Sequence, residues 1–501
     1  MTINKTWIIS ILLFILFLWG GMYLLVPRTL FPVSYSTLLY SSEGNLLGAR
    51  IAPDGQWRFP ATDSLPDKFI TCLTTYEDRY FFYHPGIDAA AILRAAYLNV
   101  RYHRVVSGGS TLTMQLARLA RGNRDRTVYE KSIEMCWALF LETTHSKKEI
   151  LNLYASHAPF GGNVVGIETA AWRYFGRSAS DLSWAESATL AVLPTLIHPG
   201  RNRKQLKTKR DKLLHTLKER NIIDNTEYEL SCMEPLPEAP VPLPNEAPHL
   251  LERLAAGTPG IRITSSVQYS LQKQTQELVN RYAREYSSSN HIHNLAALIA
   301  DVETGEILAY AGNATFQADE KRGNQVDIIT SPRSTGSILK PFLYAGMLHD
   351  GQILPSTLVS DVPLNINGFM PQNYNKTFNG AVPAHRAIER SLNVPLVRML
   401  SQYNTGRFMT LLKTLGMTSL RFSEEHYGAS LILGGAEGTL WDISGMYASL
   451  SRVLTHYRPY NGRYNPQDIH PLTPFPNKGK APIQSITDKR LTDKSLLSAA
   501  S

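Results

Sequence analysis

The polar and apolar positions divide this chain into segments of different period. Residues 7–26 (WIISILLFILFLWGGMYLLV) carry no charge and are long enough to cross a bilayer as one helix. The run is too long for a signal-peptide core, and no small-x-small cleavage site follows it before Pro27-Arg28. Lys5 precedes it, so a short N-terminus is expected in the cytoplasm and everything after Arg28 across the membrane. Residues 35–60 read as short strands about the turn Ser42-Glu43-Gly44-Asn45. From 65 to about 225 the period is helical. Residues 126–142 and 147–156 are apolar at helical spacing, and Ser183-Trp184-Ala185-Glu186 is a capping box opening an Ala/Leu-rich helix. The expectation is an anchor over residues 1–28 and a mainly α domain over 35–230.

Residues 234–248 (EPLPEAPVPLPNEAP) are Pro-rich and polar, which predicts a stiff linker, drawn at 231–262. Beyond it, residues 263–501 mix the two periods. Residues 268–286 are helical, and 295–313 hold two strand-like runs around Glu303-Thr304-Gly305, a hairpin signal.

Composition narrows the picture. A chain of 501 residues supports two or three domains, and 43% hydrophobic with 19% charged residues excludes disorder. The net charge of +9 is uneven: residues 201–220 gather Lys and Arg against only Asp211 and Glu219. That run is either a solvated helix face or a contact for anionic lipid headgroups or polymer. No nucleic-acid partner is expected, because no recognition motif accompanies it. Cys72, Cys136 and Cys232 are widely spaced, form no metal or redox pattern, and are expected to be buried free thiols.

Candidate chemistry concentrates in residues 77–119. Glu77 closes an apolar run (Phe69, Cys72, Leu73, Tyr76), which should desolvate it and make it a better base near neutrality. Asp78, Arg79, His84, Gly86 and Asp88 crowd behind it. Gly108-Gly109-Ser110-Thr111 then feeds a helix start, whose free N–H groups suit a phosphate. Glu134 and Lys131 are three apart and share a helix face, as a surface ion pair would. Further on, Ser337-Ile338-Leu339-Lys340 puts a hydroxyl and an amine one turn apart, flanked by Arg333-Ser334-Thr335-Gly336 and Pro341-Phe342. Ser391-Leu392-Asn393 adds another hydroxyl and an amide. A second S-x-x-K, Ser270 to Lys273, reads as an accident of an amphipathic helix. These residues suggest an enzyme acting on a phosphorylated substrate, with a lysozyme-like glycan hydrolase or a membrane-tethered scaffold without catalysis as the alternatives.

Four stretches in order, EDRYFFYHPGID, GGSTLTMQLARL, EKSIEMCWALFLE and APFGGNVVGIETAAWRYFG, resemble the main motifs of family 51 peptidoglycan glycosyltransferases over roughly residues 65–200. The resemblance implies a lysozyme-like helical domain that polymerises lipid II into glycan strands beside the bacterial inner membrane. It implies Glu77 as general base on the acceptor sugar 4-hydroxyl, with undecaprenyl pyrophosphate leaving by inversion. It implies Glu134 as a second essential acid near the pyrophosphate or a divalent cation (Mg or Mn), Lys131 facing the diphosphate, and Asp78, Arg79, Ser110, Thr111 and Gln115 in the substrate groove. Glu130 stands before Lys131 where the family usually has Arg, which removes one phosphate-facing cation.

Ser337 to Lys340, Ser391 to Asn393, Pro371-Gln372-Asn373-Tyr374 and Leu433-Gly434-Gly435-Ala436-Glu437 resemble penicillin-binding transpeptidases, whose fold is the α/β one of serine β-lactamases. The whole chain most resembles the C-type subgroup of class A penicillin-binding proteins. That implies Ser337 as acyl nucleophile, Lys340 as its base, Ser391 and Asn393 as proton shuttle and positioning groups, and the stem peptide and other wall synthases as partners. The family also has Lys-Thr/Ser-Gly on a later strand. None follows Asn393; Lys413-Thr414-Leu415-Gly416 comes too early and within a helical pattern. The expectation is a transpeptidase domain interrupted before that strand, its sheet edge open and its acyl transfer lost.

Overall fold

The computed structural model describes residues 19–62, 64–103, 108–122, 127–195, 203–257, 259–315, 322–366, 368–477 and 491–499. Most of the apolar run at 7–26 lies outside these; within it, residues 19–25 are helical. Among the described residues no helix is long and apolar enough to cross a membrane. The chain divides into two compact units. One comprises residues 1–38, 49–244 and 254–263, the other residues 39–48, 245–253 and 264–501.

The first unit is helical because its sequence starts helices well. Asp88, Thr111 and Thr127 each accept a backbone N–H of the first turn, and Ser146 with Glu149, Ser183 with Glu186 and Asp224 with Glu227 close reciprocal capping boxes. The helices so begun are Ala89–Arg101, Leu112–Ala120, Val128–Thr144, Lys147–His157, Trp184–Val192 and Asn225–Met233. Asp67–Glu77, Ile167–Phe175 and Arg203–Glu219 are further helices of this unit. Their apolar stripes meet in one core that includes Phe69, Leu73, Leu116, Leu141, Ile150, Tyr154, Leu190 and Leu214. The basic run at 201–220 is therefore more than a solvated face. Arg210 is 1% exposed, and its guanidinium donates to the carbonyls of Glu234 and Cys232. The thiols correct the expectation in part: Cys72 is buried and Cys232 half-buried, but Cys136 is exposed, because it falls on the outer side of the Val128–Thr144 helix, whose inner side is Glu134, Trp137 and Leu141.

The second unit is mixed. Tyr269–Ser289 is one long helix, and Ala297–Ala300 pairs antiparallel with Ile307–Ala311, with a bulge between Ile299 and Ala300. The helices Lys340–His349, Val394–Tyr403, Thr405–Thr414 and Leu440–His456 surround a core of Phe342, Leu343, Leu396, Leu400, Phe408, Leu412 and Met446. Ser270 and Lys273 lie within the long helix, and Lys413 and Thr414 end the Thr405–Thr414 helix.

Candidate functional site

Glu77 is the last residue of the Asp67–Glu77 helix and is half-buried. Gln115 Nε2 donates to Glu77 Oε2 at 2.7 Å, and Tyr154 Oη donates to Gln115 Oε1 at 3.1 Å. Burial pushes the Glu77 carboxyl above its ordinary range, with Gln115 and Lys209 opposing and Asp78 adding to the rise. Burial of this kind disfavours the charged carboxylate and favours its protonated form.

The rest of the first motif holds that carboxylate still. Asp78 is 6% exposed; one oxygen accepts from Leu112 N at 2.9 Å, and the other pairs with His84 Nε2 at 2.9 Å. Gly86 N–H donates to His84 Nδ1, so the Nε2 proton is the one His84 gives to Asp78. Thr111 donates to Gly86 O at 2.6 Å and caps the Leu112–Ala120 helix through Met114 N. Gly86 has φ +90, and a Cβ there would stand 2.8 Å from Ala138 O, so only glycine lets the loop lie against the Val128–Thr144 helix. Asp78 and Thr111 are thus engaged by the protein itself. Glu77, Arg79, Asp88, Arg94 and Ser110, with the outer edges of Asp78 and Thr111, line a cavity of about 150 Å³.

Glu134 is 5% exposed on the Val128–Thr144 helix. Its partner is not Lys131 but Arg118, which donates from Nε at 2.6 Å and from Nη2 at 2.8 Å, a two-pronged clamp. Gln115 and Arg118 are three residues apart on the Leu112–Ala120 helix, so one face of one helix holds both acids, Glu77 through Gln115 and Glu134 through Arg118. Lys131 is half-buried one turn before Glu134, and Glu130 pairs with Arg121 at 2.5 Å. The surface-pair reading of Lys131 and Glu134 is corrected: Glu134 faces the core, where a guanidinium satisfies it. Sequence reasoning gave Arg118 and Tyr154 no role; the available signal was that Gln115 and Arg118 share a stripe of an otherwise apolar helix. Arg118 occupies both Glu134 oxygens, and among the described residues no group of three His, Cys, Asp or Glu could hold a metal.

In the second unit, residues 336–339 turn into the Lys340–His349 helix and leave Ser337 exposed. Lys340 is 2% exposed, and its Nζ donates to Ser391 O at 2.8 Å, Ser391 Oγ at 3.2 Å and Asn393 Oδ1 at 2.8 Å. Burial lowers its amine to about 8. The structure thus joins Lys340, Ser391 and Asn393; with all three donors so directed, no hydrogen bond joins the amine to the Ser337 hydroxyl among the described residues. Two supports carry this cluster. Asn373 Oδ1 accepts from Asn393 N and Val394 N, and its Nδ2 donates to Asp361, which pins the Ser391 loop. Thr335 N and Oγ1 both donate to Ala436 O, and Glu437–Gly438 pairs antiparallel with Arg333–Ser334, which braces the turn carrying Ser337. Gly434, at φ +100, fits there because a Cβ would stand 2.7 Å from Ser334 Oγ.

A helical domain with two acids held by one helix face, followed by a domain with a Ser-x-x-Lys turn and a Ser-x-Asn loop, defines a two-domain class that pairs a transglycosylase-type fold with a penicillin-binding one. Comparison with known proteins agrees. Residues 44–218 match the transglycosylase family, and residues 295–438 match the penicillin-binding protein transpeptidase domain. The chain belongs to the class A penicillin-binding proteins. It is 33% identical to penicillin-binding protein 1C of Escherichia coli (strain K12) over 474 residues, covering 93% of this chain and 60% of that protein. It is 27% identical to penicillin-binding protein 1B of Vibrio cholerae over 78% of this chain and 53% of the relative, and 26% identical to penicillin-binding protein 1F of Bacillus subtilis over 79% and 57%. The chain therefore spans a little over half the length of these relatives.

Proposed function

We propose that this chain polymerises lipid II, with Glu77 as the base. The 4-hydroxyl oxygen of one sugar attacks the anomeric carbon of the next. The carbon–oxygen bond to the lipid diphosphate breaks, the hydroxyl proton passes to Glu77, and undecaprenyl pyrophosphate leaves. Inversion follows from attack on the face opposite the leaving group. Arg79 and Ser110 line the cavity beside Glu77 and would contact the sugar–diphosphate. Lys131 would meet the departing phosphates, and Glu134 would hold the Arg118 guanidinium in register with Gln115. The observation that carries this reading is the pairing of Glu77 with Gln115 and of Glu134 with Arg118 along one helix. Residues 7–26 would anchor the chain once in the inner membrane, with both domains outside the cytoplasm and beside their lipid substrate. In the second domain, Ser337 would be the acyl nucleophile toward a stem peptide, Lys340 its base, and Ser391 with Asn393 the groups that pass the proton and orient the peptide.

The test is incubation of the detergent-solubilised chain with fluorescent lipid II and, separately, with finished uncross-linked glycan. Polymer from the first, an intact second, and no polymer from Glu77→Gln are the expected results. Digestion of the glycan would replace the reading with hydrolysis, and unchanged polymer from Glu77→Gln would remove Glu77 from the reaction.

A further inference from the structure

Tyr154 lies in the Lys147–His157 helix, 3% exposed within the core of its domain, yet its hydroxyl leaves that core to meet a polar group. It donates to Gln115 Oε1 at 3.1 Å, and the other end of the same amide donates to Glu77 at 2.7 Å. An amide has an acceptor end and a donor end. If Gln115 flipped, its NH₂ would turn to Tyr154, and the only proton of the phenol would lose its acceptor inside the core, where an unmatched donor is costly. We infer that Tyr154 is a positioning residue for glycosyl transfer: by holding the carbonyl end of Gln115, its hydroxyl keeps the NH₂ end on Glu77.

The inference rests on the reading of Glu77 as the base and adds a residue to it. An amide turned NH₂-first favours the carboxylate of Glu77; an amide turned oxygen-first favours the protonated acid, which could donate to it. The other groups facing Glu77 are Asp78 beside it and Lys209 from the Arg203–Glu219 helix, and a change at Tyr154 leaves both in place. Burial drives the Tyr154 phenol far above its ordinary range, so it remains a proton donor at every pH of interest.

The test uses the full chain in detergent, labelled with ¹³C at glutamate carboxyls, the Glu77 signal being identified by its loss in Glu77→Gln. Tyr154→Phe keeps the ring and removes the hydroxyl. It should raise the Glu77 titration midpoint by about 0.5–1 pH unit, and the acid limb of lipid II polymerisation should move up with it. Gln115→Leu should raise the midpoint similarly, and adding Tyr154→Phe to it should change nothing more. A midpoint unmoved by Tyr154→Phe, or a full further shift in the Gln115→Leu background, overturns the relay. Should Tyr154→Phe fail to fold, an unmoved midpoint in Gln115→Leu overturns it from the other end. A midpoint that moves while the acid limb stays put upholds the relay and removes Glu77 as the base.

Discussion

Burial disfavours the charged form of a carboxylate, and Glu77 carries that consequence. Its pKa is raised in the folded chain, chiefly by burial. The stability tied to it is therefore present below the ordinary glutamate range and is lost as pH rises through the raised value. Glu77→Gln removes the buried charge, so thermal melting should show a higher Tm than wild type at pH 7–8, a difference that vanishes near pH 4, while polymerisation falls by about 10²–10⁴-fold. A lower Tm at neutral pH would contradict the burial argument. Lys340 runs the other way. Its amine is lowered to about 8 by burial, so the stability tied to it rises with pH from about 8 toward the ordinary lysine value of 10.5. Its ¹³Cε resonance should titrate near pH 8, and a midpoint above 10 would show that the amine is solvated. The burial of Glu77 was legible in the sequence because it closes an apolar run. The partner of Glu134 was not, because Lys131 stands one turn away and Arg118 stands sixteen residues away, a distance with no period to reveal it.

At the scale of elements, the Leu112–Ala120 helix is the part on which the first site depends. It carries Gln115 and Arg118, and Thr111 at its N-cap is tied both to Met114 N and to Gly86 O. Thr111→Ala should lower stability by about 1 kcal/mol through the lost cap. It should also weaken polymerisation, because the face that aligns the two acids loses its fixed start. Unchanged urea unfolding would mean that the cap does not hold this helix. Gly86→Ala is harsher: a positive φ and a backbone oxygen 2.8 Å from the new Cβ predict a loss of about 2–4 kcal/mol. Helix starts were the most readable elements, since Ser183 with Glu186 is a local pattern whose chemistry is complete within four residues. The roles of Asp78, His84 and Asn373 were hidden, because each acts by hydrogen bonds to segments far along the chain or to backbone groups that no side-chain pattern marks. The exposure of Cys136 was hidden for a related reason: a thiol inside a largely apolar stretch reads as core until the inner face of the helix is known.

At the scale of the whole molecule, two candidate sites lie on two units with separate cores, and the proposal expects each to be removable alone. Ser337→Ala should leave lipid II polymerisation within about twofold of wild type, since surface substitutions away from a site are usually near-neutral. A tenfold loss would mean that the second site contributes to glycan synthesis. Deleting residues 1–28 should release the chain from vesicles in a flotation assay, and retention would assign membrane binding to another surface. The order of the two domains was legible because helical and mixed periods meet at a proline-rich stretch. The course of the chain between them was not: residues 39–48 and 245–253 belong to the second unit, and no local pattern announces such exchanges.

The central claim is that Glu77 and Glu134 serve one reaction through one helix face. A double-mutant cycle on lipid II polymerisation, with Glu77→Gln, Glu134→Gln and the pair, tests it most directly. The account predicts that the double variant is no slower than the slower single one within about threefold, because residues acting as a unit are strongly non-additive. Losses that multiply, each acid acting regardless of the other, would contradict it.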